Sequence, residues 1–568
     1  MANENIVVDD GRAKWSDLWL KEDYWAIWIG FFILIISGLI MMGGRADIEA
    51  QLSKYDAVIS AEQTKPIKTI ELIQAQAAKK GVAGNKLPAA KAIISYLKTP
   101  AKWSGNPMDS FVTHMDESAK PAAEAAAKAA AEALTVAKAA QDAASAASFQ
   151  NADLNKAAET AIAAWQKADS DAAKAKAKVG SDTNLIPGLI ILGISLGVIT
   201  AVGMGVMGFN VVQYFIGFLG VYALCLFANF LGGYKPTATY GLNAEIWSII
   251  VGMVVANTIG TPKWMKPAVQ VEYFIKAGLV LLGAEVLFNK ILAIGIPGIF
   301  VAWVVTPIVL VSTYIFGQTV LKMPSRTLNI TISADMSVCG TSAAIAVAAA
   351  CRAKKEELTL SVGLSMVFTA IMMIAMPAFI KAVGMPEVLG GAWIGGTIDA
   401  TGSVAAAGAF IGPKALQVAA TIKMIQNVLI GVSAFCVAIY FATKVEAHEE
   451  GVKVGPMEIW NRFPKFVIGF LTASIVLSTI AGNLGSDISN ALISNGVNKI
   501  TVPLRGWFFA LAFISIGLAT NFKELAGYFK GGKPIILYVC GQSFNLALTL
   551  LMAWIMFYKV FPEITASI

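Results

Sequence analysis

The chain has 568 residues, 56% hydrophobic and 14% charged, with a formal charge of +7. Soluble domains carry about a quarter charged residues, so an ordinary water-soluble globule is excluded. The basic residues stand at the ends of apolar runs and form no continuous patch for nucleic acid. Five cysteines without a CxxC pair, and only two histidines (His114 and His448, both in polar stretches), exclude a disulfide framework, a zinc site and imidazole-based metal catalysis inside a membrane.

In chain order, the first apolar run is Tyr24–Met42, ending at Gly43-Gly44-Arg45. No small-x-small cleavage site closes it, so residues 1–44 read as a leader and an uncleaved anchor helix. Residues 45–184 form a separate polar segment. Its second half, Lys120–Lys178, is dominated by alanine with regular charges, which favours a helix kept in water. Ser148-Phe149-Gln150-Asn151 predicts the turn of a helical hairpin, with Trp103, Phe111, Phe149 and Trp165 as its few large apolar anchors. So thin an apolar stripe buries little area. The segment reads as a solvated cap or spacer, with an oligomerisation or partner-binding arm as the alternative.

From residue 185 onward the chain is almost continuously apolar. Segments near 186–206, 211–231, 246–257, 270–288, 296–320, 327–350, 358–381, 391–411, 415–442, 463–483, 506–522 and 534–558 approach the roughly 20 residues that cross a bilayer. With the anchor they make thirteen, several short or glycine-interrupted. The fold class is therefore an all-α polytopic membrane protein, divided as 1–44, 45–184 and 185–568. With the N-terminus inside, Lys263, Lys266, Lys322, Lys444 and Lys523 fall inside, and the 45–184 segment falls outside. The cluster at Arg352, Lys354 and Lys355 runs against this rule. A bacterial inner membrane is the expected location, and a homo-oligomer the expected assembly.

Two stretches resemble each other. Asn257-Thr258-Ile259-Gly260 is echoed by Asn483-Leu484-Gly485, and Leu282-Gly283-Ala284-Glu285 by Ile516-Gly517-Leu518-Ala519. The two pairs run in opposite directions, as an inverted repeat requires, and inverted repeats build many secondary transporters. Apolar sequences also resemble one another by chance.

The chemistry concentrates in two places. Residues 331–346 place Asp335, Cys339, Gly340, Thr341 and Ser342 just before an alanine-rich helix; residues 395–408 do the same with Asp399, Thr401, Gly402 and Ser403. A helix that starts within the membrane leaves its first N–H groups unpaired and pointing at any anion there. Small-residue helix packing uses the same residue types; the two buried acids tip the balance toward function. Lys423 and Asn427 share a face one turn apart. Lys423 is expected either to pair with Asp399 or an anion, or to snorkel to an interface. Glu272 and Lys276 read as a structural i,i+4 pair, and Glu285 as a wet helix end. Gly527–Lys533 approaches a phosphate loop, but Pro534 stands where Ser or Thr would hold Mg²⁺.

At these residues the chain resembles the family of proposed bacterial sulfate exporters, whose substrate is open. The resemblance covers roughly 186–558. It is most specific at Val338-Cys339-Gly340-Thr341-Ser342-Ala343 with the helix running on to Glu357, then at Val404–Gly408 and at Lys423. It implies an inverted-repeat fold like that of sodium/proton antiporters, with crossing discontinuous helices. Three departures stand out. The family tends toward His-Asp-Thr where this chain has Asp399-Ala400-Thr401, toward arginine where it has Gln426, and toward a small residue at Asp335. These changes weaken the case for a dianion such as sulfate and strengthen one for ion coupling.

The expectation is a secondary transporter of a small anionic solute, sulfate-like, sulfonate or carboxylate. Cys339, Gly340, Thr341, Ser342, Thr401, Gly402, Ser403, Lys423 and Asn427 would bind the solute, and Asp335 and Asp399 would carry Na⁺ or H⁺. Beyond that ion no cofactor is expected, and no metal ligand set is evident. The alternatives are a membrane-anchored structural or sensory assembly, and an intramembrane enzyme using Asp335 and Asp399 as an aspartyl pair.

Overall fold

The computed structural model describes residues 15–238, 244–285, 288–441, 445, 465–523 and 532–568. Lys444, His448 and the loop starting at Gly527 lie outside the described residues. Among those described, ten helices are long and apolar enough to cross a bilayer, from Glu22–Gly43 to Gly532–Val560. On helix Ile186–Val206, Ile190, Ile194 and Val198 form one stripe, each about half exposed. Water would penalise that stripe and hydrocarbon would not. The chain is a multi-pass α-helical membrane protein.

The other three predicted segments are shorter. One is the helix Ala244–Thr258. The other two each divide into a pair of half-helices, Arg326–Ser337 with Gly340–Ala350, and Glu387–Thr397 with Thr401–Ile411.

The chain divides into two compact units. The smaller comprises Ile33–Leu192 and Thr479–Pro503. In it, helices Lys120–Ala146 and Ala152–Val179 form the hairpin. Ser148 and Phe149 take left-handed backbone angles at the turn, and the Asn151 side chain accepts from the N–H groups of Asp153 and Leu154. Ile70, Ala137, Ile162 and Trp165 make a small core between the hairpin and an adjoining helix, Ile70–Lys80. Gln141 fixes that contact, accepting from Ile70 N and donating to Glu71. The only strand pairing among the described residues joins Val112–Thr113 to Thr183–Asn184, antiparallel, near the hairpin's open end. The polar segment is also clamped to residues 479–503. Lys79 bridges Asp56 at 2.5 Å and Asp487 at 2.6 Å, and a Cβ on Gly84 would meet Ala491 O at 3.1 Å and Gly496 Cα at 3.2 Å.

The larger unit comprises residues up to Phe32, Gly193–Ser478 and Leu504–Ile568. Two glycine crossings organise part of it. A Cβ on Gly252 would lie 2.8 Å from Gly517 Cα, and one on Gly517 would lie 2.8 Å from Gly252 Cα. Likewise a Cβ on Gly283 would lie 3.0 Å from Phe470 Cα. Asn257 ties the first crossing, donating to Thr520 O at 2.8 Å and accepting from Phe522 N at 2.6 Å. Glu285 is not simply wet. It accepts from Arg505 Nε at 2.6 Å, and both side chains are largely buried.

Candidate functional site

The first half-helix pair breaks at Val338-Cys339, and its second half starts at Gly340 with φ +45°. Only glycine takes that angle readily. A Cβ there would also approach Ser365 Oγ at 3.2 Å, Asp399 Cβ at 3.3 Å and Asp335 Oδ1 at 3.7 Å, so these groups converge on the glycine. The second pair breaks at Ile398–Ala400, where Ile398 and Ala400 are extended. Breaking a helix in mid-membrane frees carbonyls on one side of the gap and N–H groups on the other.

Two helices supply donors to the freed carbonyls. From Pro413–Asn427, Lys423 Nζ donates to Val338 O at 2.7 Å. Gln426 Nε2 donates to Ser337 O at 3.1 Å and to Gly396 O at 3.2 Å. From Gly532–Trp554, Asn545 Nδ2 donates to Met336 O at 3.2 Å and Gln542 Nε2 to Thr397 O at 2.9 Å. Both breaks are thus stitched by the same two partners.

This corrects the expected pairing of Lys423 with Asp399. Lys423 is buried and gives its protons to Val338 O and to Gln426 Oε1, the latter at 2.8 Å. Asp399 instead accepts from Ser365 Oγ at 3.0 Å and from the Tyr538 hydroxyl. The freed carbonyl lies nearer the ammonium than the carboxylate does. Asp335 accepts from Ser361 Oγ at 2.6 Å, and its other oxygen has no partner.

The remaining candidates divide between two cavities. The larger, about 650 Å³, is lined by Cys339, Thr341, Ser342, Thr401 and Asn427. Asn427 Nδ2 donates to Thr401 Oγ1 at 3.2 Å, and Thr401 Oγ1 lies 3.7 Å from Cys339 Sγ. The smaller, about 180 Å³, is lined by Gly340, Gly402 and Ser403, together with Ser365 and Thr369. Thr341, Ala400 and Glu272 line both. Asp335, Asp399 and Lys423 line neither.

The wall of the larger cavity was not foreseen. The leader contributes Asp17, Lys21, Glu22 and Asp23. Glu272 and Lys276 are not only an i,i+4 pair. Their separation is 3.5 Å, whereas Lys276 Nζ lies 2.6 Å from Glu22 and 2.7 Å from Asp23. Asp23 also accepts from the Lys465 backbone N–H at 3.0 Å. Trp25 and Trp28 hold the leader by donating to Trp19 O and Leu18 O. Tyr538, Gln542 and Asn545 were missed as well. Their spacing of four and three residues puts them on one face of an apolar helix, and that signal was present in the sequence.

The family model described as conserved hypothetical protein 698 matches residues 216–538. A UPF0324 membrane protein of Nitratidesulfovibrio vulgaris is 58% identical over 579 residues, covering 99% of both chains. The chain belongs to the UPF0324 membrane protein family. This bears out the resemblance drawn from Val338–Ala343 and its surroundings. A family member from Rhodopirellula baltica is 57% identical over 348 residues, 61% of this chain and 63% of its own. A more distant one, UPF0324 membrane protein TauZ of Paracoccus denitrificans, is 26% identical over 315 residues, 54% of this chain and 86% of its own. The polar segment 45–184 lies outside the family model, but the N. vulgaris relative spans it. No solved structure matches the chain.

Proposed function

We propose that the protein is a secondary transporter that moves a small anionic solute, sulfate-like, sulfonate or carboxylate, by alternating access. The observation that carries this reading is the shared boundary of the two cavities. Thr341 and Ala400, beside the two helix breaks, face both together with Glu272, so both half-helix pairs contribute to the boundary between two solvent-sized spaces. Half-helices meeting at mid-membrane are the usual form of a transporter binding site. Thr341, Ser342 and Thr401 would hold the anionic group together with the N–H groups that open the second half-helices.

The glycine crossings support an inverted repeat. Helix Ala244–Thr258 packs on Asn498–Ala519 through Gly252 and Gly517, while Val271–Glu285 packs on Phe466–Leu484 through Gly283 and Phe470. The first member of one pair meets the second member of the other, as a two-fold between the pairs would arrange. Asp335 and Asp399 would carry the coupling ion, Na⁺ or H⁺. The aspartyl-enzyme alternative has less support, because neither carboxylate lines either cavity. We place the chain in a bacterial inner membrane with residues 45–184 outside, as a homo-oligomer.

Cysteine accessibility tests the shared boundary. In a background with Cys339→Ala, Ser342→Cys and Ser403→Cys are labelled with an impermeant thiol reagent from each side of sealed vesicles. Labelling of the two from opposite sides is expected. Labelling of both from the same side contradicts alternating access at this layer.

A further inference from the structure

We propose that the larger cavity takes a small zwitterion, a solute with a sulfonate or carboxylate at one end and an ammonium at the other. The proposal rests on the transporter reading and narrows its substrate class.

The cavity offers the anionic end a clear seat. Helices Gly340–Ala350 and Thr401–Ile411 both open beside it, and the Thr341 and Ser342 side chains are exposed to it. The first N–H groups and the positive ends of two helix dipoles favour negative charge there.

The rest of the wall does not suit a plain anion. Its lysines are Lys21, Lys276 and Lys465, against four carboxylates at Asp17, Glu22, Asp23 and Glu272. Lys276 already has three of those carboxylates within 3.5 Å. Among the described residues of the wall, four carboxylates stand against three lysines. A dianion would meet like charge from these carboxylates, which is unfavourable in a low-dielectric cleft. An ammonium on the solute removes that mismatch.

Asn427 points the same way independently. It is 1% exposed, lines the cavity, and its Oδ1 has no donor. Its Nδ2 donates to Thr401 Oγ1 at 3.2 Å. A buried acceptor without a donor is unfavourable. Sulfate and simple sulfonates or carboxylates, ionised at neutral pH, have no hydrogen to offer it. An ammonium has three.

The test is ligand-dependent thermal unfolding of the purified full-length protein in detergent. It uses two matched pairs, 2-aminoethanesulfonate with ethanesulfonate and 3-aminopropanoate with propanoate, plus inorganic sulfate and ethylammonium. A saturable rise in Tm is expected for at least one zwitterion, with an apparent affinity at least tenfold above that of its ammonium-free partner and of sulfate. The two pairs distinguish sulfonate from carboxylate. Asn427→Leu should erase the preference, and Asn427→Asp, which keeps the acceptor, should retain it. If Asn427→Leu does not fold, Glu272→Gln provides the second variant and should weaken the zwitterion but not the plain anion. Equal or tighter binding of ethanesulfonate, propanoate or sulfate overturns the proposal, as does the absence of any shift with both zwitterions. Gradient-driven flux of a plain anion in proteoliposomes would then leave the transporter reading standing.

Discussion

Lys423 and Val338 are joined by a hydrogen bond of 2.7 Å from a buried ammonium to a carbonyl at a helix break. The lysine completes the backbone of a discontinuous helix. Lys423→Met keeps most of the stem and removes the donor, leaving Val338 O and Gln426 Oε1 short of a partner. A loss of about 1–3 kcal/mol in stability is expected, read as a lower Tm of the purified protein. An unchanged Tm with impaired solute binding would instead make the lysine a solute ligand.

Gln426 serves both breaks, with donors to Ser337 O and Gly396 O. Gln426→Leu should therefore destabilise by an amount similar to Lys423→Met, about 1–3 kcal/mol. The double variant should lose less than the sum, because the two side chains also bond each other. A double-mutant cycle of Tm values measures this coupling. Strict additivity would mean that the two side chains act separately.

Much of this arrangement was legible in the sequence. The thirteen apolar segments, the turn at Ser148–Asn151 and the two polar interruptions all follow from periodicity and residue type. The resemblance at Val338–Ala343 led to the family. What could not be read was which donors reach which carbonyls. Lys423 and Asp399 are opposite charges 24 positions apart, and pairing them is the natural inference from sequence. Helix breaks create carbonyls that compete for the ammonium, and sequence does not display them. The leader was read only as an anchor, because bringing Glu22 and Asp23 to Lys276 takes long-range packing.

Asp399 accepts from Ser365 and Tyr538, and neither bond requires its charge to be balanced by lysine. Asp399→Asn keeps the shape and removes the charge. It should alter the Na⁺ or pH dependence of transport more than solute affinity at saturating ion. Flux assays across a pH and Na⁺ matrix check this. Unchanged dependence on both would remove Asp399 from ion coupling.

Lys79 ties the polar segment to residue 487 in the smaller unit. The hydrogen bond to Asp487, then that to Asp56, holds its pKa above the ordinary lysine value. The resulting stabilisation is complete below the unfolded-state pKa of about 10.4 and is lost as pH rises through the folded value. The pair is partly solvated, so Lys79→Met should cost only about 0.5 kcal/mol at neutral pH. The difference from the parent should shrink in strong alkali. Limited proteolysis of the 45–184 segment at pH 8 and pH 11 reads this out, and a difference that grows with pH would contradict the sign.

The most direct test is flux through the purified protein in liposomes, with a panel of sulfate, sulfonates, carboxylates and their amino derivatives under imposed Na⁺ and pH gradients. Transport of at least one solute, driven by one of those gradients, is expected. Ser342→Ala removes one hydroxyl with little change in volume and should raise the KM of that solute about 3- to 10-fold, the equivalent of one hydrogen bond, with an unchanged Tm. Absence of flux for every solute under every gradient, from protein with an intact unfolding transition, would contradict the transporter assignment. Flux with an unchanged KM in Ser342→Ala would keep transport and move the solute away from the helix breaks.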